Sequence, residues 1–377
     1  MSLGGAASVL RSPSKFFQKS EDGFNLIRVY LDHNATTPLR DEARAAMMSA
    51  MDLVGNPSSV HSEGRAAKML VERARVQVAS LVGCLPTQVV FTGSATEAAA
   101  LAVAQKDRHG GQFVALPTEH DCFLAWDEGA EGTALQAISA ANSETGILRS
   151  MGAVVSNADL NRSGAVVCDI TQIAGKMPVV YRAGHKPSYM ILSGHKLGGP
   201  KGVGALINFT ADDPQAILRG GGQEMGRRSG TENVIGIAGF GAAARAAGQD
   251  VANGSWERVA ELRIILEKAL ESASKKTIFV GKGAQRLPNT SCILTPGWKG
   301  ETQVMQMDLA GFAVSAGSAC SSGKVRASRV LTAMGYDDDL AACAIRVSLG
   351  LSNTEDEVLR FADVWAQKLK KHEARTA

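Results

Sequence analysis

The sequence predicts an α/β protein with a mainly parallel central sheet and a smaller α+β domain, and three observations support this. Short apolar runs alternate with helical or loop segments between residues 88 and 208, as expected for parallel strands joined by crossovers. A chain of 377 residues is long enough for two domains. Near residue 251 the composition shifts to a charged helical pattern, which marks a domain boundary.

These observations divide the chain into three segments. Residues 1–26 mix Gly, Ser and Lys with little periodicity, and we expect them to be poorly ordered. Residues 27–250 form the large domain, and residues 251–377 form the small C-terminal domain. We expect the first residues of the large domain to pack with the small domain.

The first elements follow from periodicity and turn residues. A short strand beginning at Val29 breaks into a polar turn at Pro38. Helical patterns run from Arg40 to Met51 and from Gly64 to Val82, and a loop rich in turn residues, Gly55-Asn-Pro-Ser-Ser59, separates them.

A strand from Gln88 to Thr92 then meets a glycine turn and an alanine-rich helix that runs to about Gln105. Ser94 and Glu97 have the spacing of a capping box. A new helix N-terminus after a strand presents backbone N–H groups and a positive dipole end, which suits a phosphate. The same box can simply begin a helix, so this motif alone leaves both interpretations open.

Further short apolar runs predict the remaining strands of the large domain, at residues 113–116, 134–140, 164–169, 189–193 and 202–208. Ligands bind at the carboxyl ends of strands in sheets of this kind. The residues that fall at or just after such ends are Thr96, His120, Asp169, Gln172 and Lys196. We therefore expect these side chains to lie close together.

Lys196 follows the apolar run that starts at Tyr189, with Ser193 and His195 beside it and glycines behind it. A lysine next to a desolvating strand end is well placed to form a Schiff base with a carbonyl compound. A surface lysine in a turn would give the same local pattern, so both readings stay open at this point.

The second part of the chain starts with a polar, glycine-rich loop from Gly220 to Asn233 and a helix from Val234 to about Ala247. The small domain is predicted to contain helices at 256–272 and 355–371 and strands at 277–280, 290–294 and 344–348.

Composition excludes several classes of function. The formal net charge is +3 without a basic block, so we expect no nucleic-acid partner. No apolar stretch is long enough to span a bilayer, and the N-terminus lacks the pattern of a secretory signal, so we expect a cytoplasmic protein without membrane contact. The six cysteines form no C-x-x-C pair, which argues against a metal site and a disulfide framework.

Three features together match the needs of a pyridoxal 5′-phosphate (PLP) site. Such a site requires a lysine, a carboxylate for the pyridine nitrogen and a phosphate cup at a helix N-terminus. The chain offers Lys196, Asp169 and the turn from Ser94 to Thr96.

Seven stretches, in order between residues 30 and about 360, carry a resemblance to a known family. They are Leu31-Asp-His-Asn-Ala-Thr-Thr-Pro38, Gly55-Asn-Pro-Ser-Ser59, Thr118-Glu-His120, Ser193-Gly-His-Lys196, Arg228-Ser-Gly-Thr231, Ser318-Ala-Cys320 and Ile345-Arg-Val-Ser-Leu-Gly350. On these motifs the chain resembles the class V aminotransferase-type PLP enzymes, in particular the cysteine desulfurases of the NifS/IscS-like group. The resemblance implies the PLP-dependent transferase fold type I, which is aspartate aminotransferase-like.

The resemblance also implies roles around the cofactor. Lys196 would be the Schiff-base lysine and Asp169 the partner of the ring nitrogen. His120 would stack on the ring and take part in proton transfer, and Gln172 would hydrogen-bond the ring hydroxyl. The residues that would hold the phosphate are Ala95, Thr96, Ser193 and His195, with Thr231 reaching in from the partner subunit of a homodimer.

For the substrate, the resemblance implies that Arg346 clamps the carboxylate of L-cysteine, a contact for which its planar fork is suited. Asn34 and Ser143 would also lie at the substrate. Cys320, in a run of small residues, would accept the sulfur as a persulfide while L-alanine leaves. The persulfide would pass to a sulfur-acceptor protein, an iron–sulfur scaffold protein among the candidates. Cys84, Cys168, Cys292 and Cys343 are interpreted as buried thiols.

Two departures keep other functions open. Ser143 stands where relatives have an asparagine that approaches the ring hydroxyl, and the connection from His120 to Asn142 is shorter than the roughly 30 residues of a full crossover unit. The sheet is therefore expected to lack an edge element. The alternatives are another class V reaction, such as selenocysteine lyase or transamination, or a degenerate homologue that acts as a binding or scaffold protein.

Overall fold

The computed structural model describes residues 28–129, 134–149, 165–181, 186–317 and 327–376. Residues 1–26 and Cys320, for which predictions were made from the sequence, lie outside these ranges. Within the described residues, no helix combines the length and apolarity needed to cross a membrane.

Residues between Val89 and Asn208 form a six-stranded sheet. Its strands are β2 (Val89–Thr92), β3 (Phe113–Ala115), β4 (Leu135–Ser139), β5 (Val166–Asp169), β6 (Tyr189–Ser193) and β7 (Gly204–Asn208), in the order β2-β7-β6-β5-β4-β3. Strands β3 to β6 are parallel, and β7 is antiparallel to both of its neighbours. The predicted mainly parallel α/β sheet is confirmed.

Helices cover both faces of this sheet. They are α1 (Asp41–Met51), α2 (Ser62–Val82), α3 (Ala95–Val103), the short α4 (Asp121–Leu124) and α5 (Val234–Ala252). Successive side chains of β6 enter different cores, since Met190 packs with Phe240 of α5 while Ile191 packs with Leu101 of α3. This alternation is the period of a strand that is buried on both faces.

Carboxylates cap the outer edge of β3. Its one strand neighbour in the described part of the chain is β4. On the other edge, Phe113 N donates to Glu128 Oε2 at 2.8 Å and Ala115 N donates to Asp127 Oδ1 at 3.0 Å. Charged groups along an edge discourage pairing with a further strand. In the described part of the chain the sheet therefore ends at β3, beside the short connection between His120 and Asn142.

An antiparallel sheet organises the C-terminal part. Its strands are β8 (Ile278–Phe279), β9 (Thr290–Leu294), β11 (Ser315–Ala316) and β12 (Ala344–Ser348), in the order β11-β12-β9-β8. The helices here are α6 (Ser255–Ala273), α7 (Gly300–Leu309), α8 (Arg329–Ala333), α9 (Asp338–Ala341) and α10 (Glu355–Thr376). The N-terminal strand β1 (Val29–Tyr30) pairs in parallel with β10 (Phe312–Ala313).

Several elements differ from the sequence predictions. Helix α5 continues to Ala252 and α10 to Thr376, beyond the predicted ends. Helix α7 was not predicted, because its buried face includes a polar residue, Gln303. The Gln303 amide donates to Trp298 O at 2.8 Å and to Cys343 O at 3.1 Å. These hydrogen bonds allow a polar side chain on the buried face, so the helix lacks the apolar periodicity that would predict it from the sequence.

Three of the four cysteines interpreted as buried thiols are buried, namely Cys168, Cys292 and Cys343. Cys84 is the exception, because it is only partly buried at the edge of the core, just after α2. Burial raises the pKa of the Cys84 thiol to about 12, so this thiol is protonated at neutral pH.

Candidate active site

The described residues form a cavity of about 320 Å³ at the carboxyl ends of β4, β5 and β6. Eleven of the predicted site residues line it: Asn34, Ala95, Thr96, His120, Ser143, Asp169, Gln172, Ser193, His195, Lys196 and Arg346. Thr231 of the same chain is not among its described lining residues. The volume lies in the range that small ligands occupy in proteins.

Lys196 ends a single 3-10 turn, Gly194–Lys196, that follows β6 directly. Gly194 is required at the start of this turn, because a Cβ there would lie 2.9 Å from Val203 Cγ1 and 3.2 Å from Phe240 Cδ2. The Lys196 amine donates to Asn34 O at 2.6 Å and to Ala35 O at 3.0 Å. The turn therefore aims the amine away from the sheet, toward the segment that follows β1.

Asp169 is the last residue of β5, the strand next to β6. Its Cα is paired with that of Ile191, and its Oδ1 accepts a hydrogen bond from Thr171 N at 2.8 Å. Because β5 and β6 are parallel, their exits place the Asp169 carboxylate and the Lys196 amine in the same cavity. Gln172 follows in the same turn and is 5% exposed.

The N-terminus of α3 is fixed by side chains and by a close strand contact. Ser94 Oγ accepts from Glu97 N at 3.1 Å, but Glu97 Oε2 accepts from Gly93 N at 2.7 Å rather than from Ser94 N. The first hydrogen bond of the predicted capping box is present. The second differs, because the Glu97 carboxylate accepts from the N–H group of Gly93 instead of that of Ser94. A Cβ on Gly204 of β7 would lie 2.8 Å from Ala95 N, so β7 packs directly against this turn.

Two histidines line the cavity. His120 caps α4 by accepting from Cys122 N on Nδ1 at 3.1 Å, which leaves the ring proton on Nε2 in the neutral form. His195 Nδ1 lies 3.1 Å from Thr36 Oγ1. Burial, and then the charges of Lys196 and Lys201, lower the pKa of His195 to about 4, so this ring is uncharged at neutral pH.

Opposite the strand ends, Arg346 of β12 lies 5% exposed. Its Nη2 forms an ion pair with Asp32 Oδ1 at 2.8 Å and its Nη1 donates to Ser143 O at 3.1 Å. Asp32 is held in turn by Ser315 Oγ, which donates to Oδ2 at 2.8 Å. The guanidinium is therefore fixed before any ligand arrives.

Asn34 connects the two sides of the cavity. Its backbone oxygen accepts from Lys196 and, at 3.1 Å, from Gln172 Nε2. Its side-chain nitrogen donates to Thr290 Oγ1 at 2.9 Å and to Ser143 O at 3.3 Å. Asn34 is 1% exposed, so these contacts form in the protein interior.

Two polar atoms in the cavity wall are buried without a hydrogen-bond partner in the described part of the chain. They are Thr171 Oγ1 and Arg346 Nε. Buried polar groups in native proteins nearly always have a partner, so such atoms indicate a polar ligand. With the Lys196 amine, the Arg346 guanidinium and the helix N-terminus at Ala95, the donor set suits an anion.

The family model for aminotransferase class-V matches residues 29–134 and 127–361. The chain belongs to this family. The first matched segment ends and the second begins between β3 and β4, in the short connection noted in the sequence.

Curated relatives of this class V chain include two named cysteine desulfurases. One, from Cereibacter sphaeroides and named "Cysteine desulfurase", is 36% identical over 89% of this chain and 94% of its own length. Another, from Dictyoglomus turgidum and named "Cysteine desulfurase IscS", is 32% identical over 91% of this chain and 95% of its own length. The predicted resemblance to this group is confirmed.

Solved structures agree with the class V assignment. A NifS-like protein superposes with a TM-score of 0.81 at 29% identity, covering 91% of this chain and 100% of the other. A NifS-like protein from Rickettsia africae gives a TM-score of 0.80 at 28% identity, covering 92% and 99%. The predicted fold is confirmed.

A second cavity of about 150 Å³ contains the predicted residue Thr231, together with Gly93 and Arg228. The Arg228 guanidinium pairs with Glu97 at 2.7 Å. The loop that carries both residues is anchored by Glu224, which adopts a positive φ of 48° and forms a buried ion pair with Arg75 at 2.7 Å. This class V chain therefore places Thr231 beside the turn that precedes α3, outside its own Lys196 cavity.

Three residues that the sequence analysis did not single out lie at the site: Asp32, Thr171 and Lys176. Asp32 belongs to the quoted Leu31–Pro38 stretch, so its position was visible but its pairing with Arg346 was not. Lys176 donates to Gln172 Oε1 at 2.9 Å. The spacing of four residues between Gln172 and Lys176 is the sequence signal that could have indicated this contact.

Proposed function

We propose that this chain is a PLP-dependent cysteine desulfurase, which converts L-cysteine to L-alanine and transfers the sulfur to Cys320. The observation that carries the proposal is the meeting of three groups in one cavity. The Lys196 amine and the Asp169 carboxylate leave neighbouring parallel strands, and the Arg346 guanidinium faces them from the antiparallel sheet.

The residues present fit PLP. Lys196 would hold the cofactor covalently, Asp169 would bind the ring nitrogen and Gln172 would donate to the ring hydroxyl. Ala95, Thr96, Ser193 and His195 line the cavity where α3 begins, and they would bind the phosphate. When bound, PLP supplies an electron-accepting ring that stabilises negative charge on the attached substrate carbon.

Arg346 would bind the substrate carboxylate. Its Nε is buried and has no partner in the described residues, and Asp32 and Ser143 fix the plane of the guanidinium. A bidentate Arg–carboxylate contact needs such a fixed plane. Asn34 would align the substrate through the same hydrogen-bond network, because it contacts Ser143.

Protons would move through Lys196 and His120. The Lys196 amine is close enough to backbone oxygens at Asn34 and Ala35 to be held in the cavity when it is not bonded to the cofactor. The His120 ring, with its proton on Nε2, can donate into the same cavity. The two groups stand on different strand connections, so they can act on different atoms of the substrate.

Cys320 would take the sulfur. The reaction balances as one cysteine and one enzyme thiol giving one alanine and one enzyme persulfide: the C–S bond breaks, an S–S bond forms and a C–H bond replaces the C–S bond. Cys320 comes three positions after Gly317. The Cα atoms of these two residues are therefore at most about 10 Å apart, because three residues of extended chain span no more than that. Ser328, on the other side of Cys320 in sequence, donates to Glu144 Oε2 in the cavity wall.

We also propose a homodimer in which Thr231 of one subunit completes the phosphate site of the other. The exposed position of Thr231 beside Arg228 in the second cavity supports this arrangement. The sulfur acceptor would be a protein, with an iron–sulfur scaffold protein among the candidates. The cytoplasmic location predicted from the sequence stays a prediction.

Mass spectrometry after incubation with L-cysteine tests the proposal. Wild-type protein should release alanine and carry one added sulfur on the peptide that contains Cys320. Cys320→Ala should keep the visible absorbance of bound PLP but acquire no protein-bound sulfur, because the thiol acts only after the substrate is attached.

Cys122→Ala is the matched control, because Cys122 also lines the cavity. It should acquire the added sulfur as the wild type does. Sulfur on Cys122 or Cys343 instead of Cys320 would show that the acceptor thiol is wrongly assigned. Alanine production that persists at the wild-type rate in Cys320→Ala would favour a lyase reaction that needs no thiol, and absence of PLP absorbance would favour a non-catalytic homologue.

A further inference from the structure

Lys176 is a buried amine directly behind the candidate active site. It is 3% exposed and does not line the cavity itself. Its amine donates to Gln172 Oε1 at 2.9 Å and to Asn34 Oδ1 at 3.3 Å. In the described part of the chain its hydrogen-bond partners are thus two amides and no carboxylate. Burying an amine without a carboxylate partner costs free energy, which indicates that Lys176 has a function.

The turn after β5 determines where Lys176 points. Gly175 has a φ of +76°, and a Cβ there would lie 2.7 Å from Ala247 Cβ and 3.2 Å from Leu197 Cβ. Its carbonyl accepts from Trp256 Nε1 at 2.8 Å. A glycine is therefore required at this position, and the fixed turn directs the next side chain back toward Gln172.

The contacts of the Gln172 amide select one of its two orientations. Oε1 accepts from the Lys176 amine, and Nε2 donates to Asn34 O at 3.1 Å. A flipped amide would place its nitrogen against the Lys176 amine and its oxygen against the Asn34 carbonyl oxygen. Both flipped contacts are unfavourable while the Lys176 amine is charged, because donor would face donor and acceptor would face acceptor.

The same hydrogen bonds lead to the Lys196 amine. Asn34 O accepts from both Gln172 Nε2 and Lys196 Nζ, and Asn34 Oδ1 accepts from Lys176 and, at 3.1 Å, from Asn289 Nδ2. Lys176 therefore contacts Gln172 and Asn34, and the backbone oxygen of Asn34 accepts from the Lys196 amine. A change at Lys176 is transmitted to the cavity through two oriented amides.

We propose that Lys176 is a positioning residue that locks the Gln172 amide with its N–H group toward the cofactor's ring hydroxyl. The inference rests on the proposed PLP cofactor. One hydrogen of Gln172 Nε2 is used by Asn34 O, and the other is available to the ring hydroxyl. Lys176 touches neither the cofactor nor the substrate, and its effect passes through Gln172.

Charge contributes in the same direction. Burial, and then the charges of Lys196 and Arg346, lower the pKa of Lys176 from 10.5 to about 7. His33, which lies next to Asn34 in sequence, is also buried, and its pKa falls to about 3 through burial and the charge of Lys176. Near neutral pH the Lys176 amine is thus partly charged, and its charged form donates a stronger hydrogen bond to Gln172 Oε1 than a neutral amine would.

Lys176→Met tests the proposal in the full chain reconstituted with PLP. Methionine has a similar length but cannot donate, so Gln172 loses the contact that fixes its amide. The dissociation constant for PLP should rise about tenfold, and the pH midpoint of the bound cofactor's visible absorbance should rise by about one unit. Lys268→Met, an exposed substitution on α6, should change neither quantity.

A double variant distinguishes a positioning role of Lys176, which acts through Gln172, from an effect of Lys176 that is independent of Gln172. If Lys176 acts through Gln172, then Gln172→Leu and Gln172→Leu/Lys176→Met should have the same midpoint and the same PLP affinity. Additive shifts in the double variant would overturn the proposal, and so would a wild-type midpoint in folded Lys176→Met.

If Lys176→Met does not fold, Gln172→Glu carries the test. A carboxylate keeps an oxygen for Lys176 but offers no N–H group, so the midpoint should rise as in Gln172→Leu. A wild-type midpoint in Gln172→Glu would overturn the proposal. None of these measurements uses turnover, so a chain that shows the shifts yet makes no alanine from cysteine would refute the desulfurase and leave the role of Lys176 intact.

Discussion

Two sides of the candidate active site are built in different ways. The strand-end wall, formed by Asp169, Gln172, Ser193, His195 and Lys196, consists of residues at or just after the ends of β5 and β6. The Arg346 wall, formed by Asn34, Ser143 and Arg346, joins distant parts of the chain. Arg346 and its partner Asp32 are 314 positions apart, and Arg346 and Ser143 are 203 apart.

The difference shows which part of the site is fixed by one sheet and which requires two sheets to dock. Parallel pairing of β5 with β6 is enough to bring Asp169 and Lys196 to one edge. Arg346 reaches the cavity only when β12 is docked and the segment after β1 crosses between the sheets. Substitutions in the strand-end wall should therefore affect the cofactor, and substitutions in the Arg346 wall should affect the substrate.

The largest effect is expected for Lys196→Ala in the strand-end wall. The variant should lose the visible absorbance of covalently held PLP, because Lys196 is the lysine that lines the cavity in the described residues. Absorbance spectra before and after borohydride reduction measure this. Lys201→Ala, an exposed lysine five positions later, is the control. A reducible chromophore in Lys196→Ala would contradict the assignment.

Asp169→Asn should keep PLP but lose most of its turnover, by about a hundredfold or more. The carboxylate holds a proton on the ring nitrogen, and an amide of the same shape cannot. Comparing kcat for alanine formation with PLP content separates the two quantities. Asp212→Asn, at an exposed position after β7, should behave as the wild type does. Near-normal kcat in Asp169→Asn would show that the carboxylate does not have the proposed role at the ring nitrogen.

Asp32→Ala should act on the substrate through the Arg346 wall. Loss of the 2.8 Å ion pair leaves the Arg346 guanidinium without its orienting partner. KM for L-cysteine should rise about tenfold, a loss of about 1.4 kcal/mol, while kcat and the PLP spectrum change less. Asp32→Asn keeps an oxygen acceptor and should recover part of the affinity. An effect on kcat alone would break the distinction between the two walls.

The last effect is on stability rather than on activity, and it concerns Lys176, which contacts a residue of each wall. Its pKa is lowered to about 7 in the folded protein, against 10.5 for an ordinary lysine. Between these values the unfolded chain binds more protons, so Lys176 makes the free energy of unfolding increase as pH rises from about 7 to about 10. Denaturant titrations should show this rise in wild type relative to Lys176→Met. Parallel pH curves for the two proteins would contradict the burial of a partly neutral amine.

Much of the strand-end wall could be predicted from the sequence, because its residues follow apolar runs at the positions where strands end. The strands at 290–294 and 344–348 were predicted with the bounds that the structure has. Helix α7 could not be predicted, because Gln303 on its buried face is satisfied by carbonyl groups distant in sequence. Cys84 was predicted to be buried and is only partly so, because hydropathy does not show how deep a loop residue lies.

The sequence by itself determined the α/β class, the family resemblance and the set of residues that would serve a PLP site, since strand ends and motifs are local patterns. Tertiary structure alone decided that Asp32 holds Arg346 and that Asn34 joins the two walls, and it directs the Lys176 amine to Gln172 Oε1. These contacts depend on the docking of two sheets and on the positive φ of Gly175. No periodicity in the sequence encodes the contacts of Asp32 and Asn34, because hydrogen-bond partners hundreds of positions apart are selected by the packed geometry rather than by local conformation.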